Sequence, residues 1–89
     1  MSVHWVYHAA EAHRALVEAL PHGTDSNPHT GRTHLLNMLD RIGGGLMRVE
    51  KANRWLGWIQ ACLCFHGAAT LEQLKEINFL HSQQHKERG

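Results

Sequence analysis

The sequence predicts an all-α fold, a small bundle of about four helices that assembles as a homo-oligomer. Three observations lead there. Apolar residues recur at spacings of three and four along most of the chain. No segment alternates at the period of a strand, and clusters of glycine, proline and asparagine cut the periodic stretches apart. At 89 residues, numbered 1–89, the chain reads as one domain, near the size where a single core barely suffices.

The first helix is expected over residues 2–20, with Trp5, Ala9, Ala12, Leu16 and Ala19 as its apolar stripe and Val6, His13 and Leu20 beside it. Pro21 ends it, because a residue before proline is pushed out of helical backbone. Residues 21–27, PHGTDSN, read as a loop. Asn27 and Pro28 suit an N-cap and a first helical position, so a second helix is expected over 28–42, facing inward with Leu35, Met38, Leu39 and Ile42. Gly43-Gly44-Gly45 lies in register with apolar residues on both sides, but three glycines cost roughly 1 kcal/mol each relative to alanine in a helix. A hinge is expected there. The third helix then runs over 46–66, stopped by Gly67 as a left-handed cap. Thr70 and Gln73 form a capping box that opens a fourth helix over 71–83, with Leu71, Leu74 and Ile77 inward and the tail fraying.

The third helix is the most informative element. At ~100° per residue, Val49, Ala52, Leu56, Ile59 and Leu63 form one stripe, and Trp55, Trp58, Cys62 and Phe65 form a second beside it, with Met47. The combined arc is roughly 200°, about twice that of an ordinary surface helix. Such a helix is central in a bundle or shared with another subunit. Asn53, Gly57, Gln60 and Cys64 form a small, polar seam on the opposite flank. Gly57, in the run RWLGWIQ, therefore leaves bare backbone where a helix or ligand can come close. A tolerated surface glycine is the plainer alternative. Burial in the core or at a subunit interface is the ordinary role for such tryptophans, and stacking on a planar ligand is the sharper one.

Arg48, Lys51 and Arg54 line the start of this helix, just after the glycines. A glycine-rich turn that feeds a helix N-terminus favours anions, through free N–H groups and the macrodipole. Cations beside aromatics suit a nucleotide, phosphate on the cations and base on an indole. Solvated surface cations are the competing reading, and no GxxxxGK[ST] motif is present.

Other chemistry finds less support. Nine histidines are the compositional anomaly, and they make the net charge of +1 sensitive to pH near 6–7. His4 and His8, with Glu11, and His81 and His85 have i,i+4 ligand spacing, yet neither pair has a local Cys or Asp partner, so no metal site is expected. Cys62 and Cys64 point to different sides of an apolar helix, which suits inert reduced thiols and a cytosolic setting. Asp25, Ser26 and His29 share a loop without making a triad. Neither an enzyme nor any cofactor is expected. The balanced charge argues against a sequence-specific DNA reader. No apolar run approaches the ~20 residues of a membrane span, and no basic, then apolar, leader opens the chain.

The runs HTGRTHLLNML, KANRWLGWIQACL and, after a glycine, TLEQLKEIN resemble small accessory proteins encoded by bacteriophages. In these an Arg-Trp-Leu-Gly-aromatic-x-Gln helix precedes a short capped helix. The resemblance covers residues 29–82 and leaves the first helix outside it. It implies a dispensable phage gene acting in the host cytosol, in a group that includes inhibitors of bacterial immunity. Some of those are helical oligomers that sequester cyclic nucleotide signals, and others cap a defence protein. No ligand residue carries over from the resemblance.

The expectation is thus a non-enzymatic protein that counteracts a host defence by binding. Its ligand residues would be Arg48, Lys51, Arg54, Trp58 and Arg32, taking a small anionic nucleotide. Trp55, Gly57, Gln60 and Phe65 would face another subunit. A protein-capping inhibitor, or a structural or regulatory phage protein with no defence role, is the alternative.

Overall fold

The computed structural model describes residues 5–44 and 46–88, and the side chains as far as Ser82. Every regular element among them is helical: α1 (Trp5–Ala12), α2 (Arg14–Glu18), a 3-10 turn (His22–Ser26), α3 (Arg32–Gly43), α4 (Val49–Phe65) and α5 (Leu71–Arg88). None of these helices is long and apolar enough to cross a membrane.

The N-terminal stretch is two helices rather than one, separated at His13, whose N–H bonds back three residues to the Ala10 carbonyl at 3.0 Å. Its buried face also differs from the expected stripe. Val6, Ala9, Ala10, His13, Val17 and Leu20 are buried, whereas Ala12 and Ala19 are exposed. The physical reason is payload. With the segment turned by about one residue, Val17 is buried where Ala12 and Ala19 give way, at ~0.8 kcal/mol per additional CH₂, while Trp5 and Leu16 stay half-buried at the edge.

The start of α3 also differs from the expected one. The helix begins at Arg32 with Gly31 as N-cap, not at Asn27-Pro28. Asn27 instead makes a local turn, its side-chain oxygen accepting from the His29 N–H at 3.0 Å. The free N–H groups of α3 are met from the preceding 3-10 turn. Thr24 Oγ1 accepts from the Arg32 N–H at 3.1 Å, and the Asp25 carboxylate accepts from the N–H and the hydroxyl of Thr33, each at 2.8 Å. These bonds, the backbone one first, hold the Asp25 carboxyl below its ordinary pKa. The turn lies so close that a β-carbon on Gly31 would stand 2.7 Å from the Thr24 carbonyl oxygen. Only glycine fits.

The helices that follow are delimited by their caps. α4 ends in a Schellman motif: Gly67 has φ +74°, its N–H bonds to the Cys64 carbonyl, and the Ala68 N–H reaches Leu63. Thr70 and Gln73 make the reciprocal bonds of a capping box at 2.8 and 3.1 Å. Leu35, Met38, Leu39 and Ile42 of α3 meet Ala52, Leu56, Ile59, Cys62 and Leu63 of α4 in the core. Leu74 of α5 is buried and Ile77 half-buried, but Leu71, the first residue of the helix, is largely exposed.

Candidate functional site

The wide apolar arc expected of α4 is covered only in part. Its inner stripe is buried from Ala52 on, Val49 and Trp55 are half-buried, and Trp58 is 45% exposed and Phe65 80% exposed. These last two lie seven residues apart on the outer face, with Arg54 and Ala61, also exposed, along the same line. The helix therefore has an inner core face and an outer face with two uncovered aromatics.

Near the start of α4 the chain forms an open depression of about 430 Å³, lined by Arg41, Leu46, Met47, Arg48, Lys51 and Trp55. The hinge after α3 brings the last-turn Arg41 to Arg48 and Lys51 across the bend. Gly43 closes α3 and Gly44 caps it, while Gly45 lies outside the described residues. Arg48 is the N-cap of α4 and makes no side-chain cap bond, so the first-turn N–H groups are left without one. Glu50 is the acid in that turn and is exposed. Lys51 Nζ lies 5.2 Å from the centre of the Trp55 ring, a cation–π contact that keeps the indole beside the cations. From α1, the Tyr7 hydroxyl donates to the Met47 carbonyl at 2.5 Å, which fixes the wall of the depression to the bundle.

The expected ligand residues are thus divided. Arg48 and Lys51 line the depression; Arg54, one turn further along α4, is exposed and outside its lining. Arg32 sits at the other end of α3, about 13 Å from Arg41 at 1.5 Å per residue, with Nε donating to the Glu18 carbonyl at 3.2 Å. Trp58 is engaged as well: its Nε1–H donates to the His29 carbonyl at 3.0 Å. His66 Nε2 donates to the neighbouring Thr30 carbonyl at 2.7 Å. Trp58 of α4 and His66, its C-cap, therefore clamp the loop before α3.

The expected interface set divides too. Phe65 is outermost and stands edge-on to His66. Gly57 is exposed, and a β-carbon there would meet no other part of the chain within 4 Å. Trp55 belongs to the depression, and Gln60 turns inward. Gln60 Nε2 lies 3.0 Å from His13 Nε2 and 3.0 Å from the Asn78 side-chain oxygen, linking three segments.

No family model, curated protein or solved structure matches this chain.

The described residues contain no group of three or more His, Cys, Asp or Glu side chains that could hold a metal ion. His4 and the side chain of His85, each half of an expected pair, lie outside the described residues. Cys62 and Cys64 are both free, and burial pushes the Cys62 thiol above its ordinary pKa, which disfavours the reactive thiolate. Arg41, Tyr7, His13 and Asn78 are the residues that sequence reasoning left out of any site. Arg41 was within reach of it, as the last cation before the glycine hinge. The Tyr7 and Asn78 partners lie 40 and 18 residues away, so no local pattern announces them.

Proposed function

We propose that this chain is a non-enzymatic, phage-encoded accessory protein that acts by binding, and that the depression at the α3–α4 bend takes a small anionic nucleotide signal. The observation that carries the reading is the convergence of Arg41, Arg48 and Lys51 around the half-buried Trp55 indole. Guanidinium groups offer forked donors to phosphate, an ammonium adds point charge, and an indole offers a face for a base. Arg48, in the lining, is also the N-cap of α4, and a helix N-terminus favours negative charge. On this reading the ligand is held and not turned over. Sequestration in the host cytosol, against a defence system, is the role that fits.

Self-association belongs to the same proposal. Phe65 and Trp58 on the outer face of α4, with Gly57 open beside them, support burial between copies of the chain. That face also favours the second reading, an inhibitor that caps a host protein, since aromatic anchors carry much of the energy of protein interfaces. Calorimetry against linear and cyclic nucleotides separates the two. Micromolar or tighter binding that vanishes in an Arg48→Glu/Lys51→Glu variant supports nucleotide capture, and no heat with any nucleotide leaves the capping reading ahead.

A further inference from the structure

We propose that His13, Gln60 and Asn78 form an acid-sensitive latch that holds α5 against α1 and α4 and opens when His13 takes a second ring proton. The proposal is independent of the nucleotide reading. It starts from His13, a fully buried side chain at the break between α1 and α2. Its Nδ1 lies 2.6 Å from the Ala9 carbonyl oxygen. A carbonyl can only accept, so Nδ1 carries the hydrogen, and in the neutral ring Nε2 must then be the acceptor. Gln60 therefore presents its NH₂ group there. The second hydrogen of that same nitrogen goes to the Asn78 oxygen on α5. One proton position sets the direction of the whole chain of bonds.

A proton added at Nε2 turns this arrangement against itself. The new N–H faces the Gln60 NH₂, donor to donor. Turning the Gln60 amide over offers His13 an acceptor but sets oxygen against the Asn78 oxygen, so the bridge survives only if Asn78 turns as well, and the buried ring still carries its charge. Among the described residues the charge also gains no counterion. Across the interface the ionisable group that acts on His13 is His81 of α5, which repels a second positive charge. On α4, Cys64 is the ionisable residue one turn from Gln60. On α1 and α3, Glu11 and Asp40 are both taken by Arg14, at 2.8 and 2.7 Å. Burial, the largest influence, already lowers the His13 pKa, and His81 acts in the same direction.

α5 is the element such a latch would govern. Leu74 is its one fully buried apolar side chain among the described residues, while Leu71, Phe79 and Leu80 are all more than half exposed. Its packing is mainly against α1, the helix that leads into His13. Its contact with α4 is small by comparison, so the polar bridge from Asn78 to Gln60 is a large part of that tie.

The sign follows from linkage. A histidine whose pKa is lowered in the folded state stabilises above its ordinary value of 6.5, and that stability is lost as pH falls below it. At pH 5.5 an undocked His13 is about nine-tenths protonated, which allows release to grow up to about tenfold. The test is amide hydrogen exchange of the full chain between pH 7.5 and 5, corrected for intrinsic rates. Protection over residues 71–82 should fall with pH well ahead of α3 and α4, and a response shared equally by all the helices, or none, would overturn the latch. His13→Gln keeps an acceptor for Gln60 without titrating, so its α5 protection should be flat. Retained pH dependence in that variant would assign the response elsewhere and refute the proposal. Gln60→Glu offers a carboxylate to the protonated ring and should reverse the trend, so that protection of α5 rises on acidification. If His13→Gln does not fold, a Gln60→Glu variant that keeps the wild-type direction refutes the latch alone.

Discussion

Replacing Gly31 by alanine and Gly57 by alanine should change stability in opposite directions. On conformational grounds both look favourable: Gly31 has φ −77°, which alanine adopts freely, and Gly57 lies in the middle of α4. Removing a glycine's freedom from the unfolded chain stabilises by about 0.4–1 kcal/mol where the native backbone permits it. At Gly31 the added β-carbon would lie 2.7 Å from the Thr24 carbonyl oxygen and 2.8 Å from the Asp25 α-carbon. Both are backbone atoms and cannot swing aside. Relieving the overlap means moving the 3-10 turn off the start of α3, and overpacking of this kind costs about 1–3 kcal/mol. The shift also pulls Thr24 and Asp25 from the N–H groups they cap. The net loss should be about 1–3 kcal/mol, or roughly 5–20 °C in Tm at 4–8 °C per kcal/mol for a domain of this size. At Gly57 nothing stands within 4 Å, so alanine should gain about 1 kcal/mol. Urea and thermal unfolding followed by circular dichroism at 222 nm measure both. Gly31→Ala at or above parent stability would refute the packing account of this glycine. A loss at Gly57→Ala that deepens at higher protein concentration would mean that a second copy packs on that backbone.

Four further outcomes are expected. Arg48→Glu/Lys51→Glu should abolish nucleotide heats in calorimetry, whereas Arg54→Glu, outside the depression, should leave them largely intact; equal losses would break the assignment of the site. Trp58→Phe removes the donor to the His29 carbonyl and should cost about 0.5–1.5 kcal/mol, the net worth of one hydrogen bond, measured by urea unfolding. Light scattering at micromolar concentration should report a dimer or larger, reduced by Phe65→Asp or Gly57→Leu; a parent monomeric at every concentration would exclude self-association. Acid unfolding should show Asp25 acting below the histidine range. A carboxyl with a lowered folded pKa stabilises above its unfolded value near 3.9, and that contribution is lost as pH falls through the folded value, so Asp25→Asn should flatten the lower limb of the acid titration alone.

Much of the chain's local order was legible without any partner. The caps at Gly67 and at Thr70–Gln73 depend on residues three or four apart, and so do the core faces of α3 and α4, which repeat at helical spacing. The start of α3 and the buried face of the first segment were not legible. A 3-10 turn folding back over Gly31 replaces the local cap at Asn27, and the choice between alanine and valine faces depends on what α3, α4 and α5 offer to cover. The same distinction runs through the site. Arg48, Lys51 and Trp55 share one helix, so their spacing alone brings them together, and the glycines beside them mark a bend. Only the tertiary structure swings Arg41 in, carries Arg32 and Trp58 away to other duties, and turns Gln60 from a surface seam toward His13 and Asn78. Sequence periodicity reports which side of a helix is apolar, because side-chain direction is fixed by the helix itself. It does not report which polar groups meet across the bundle, because those pairings depend on how the helices pack against one another.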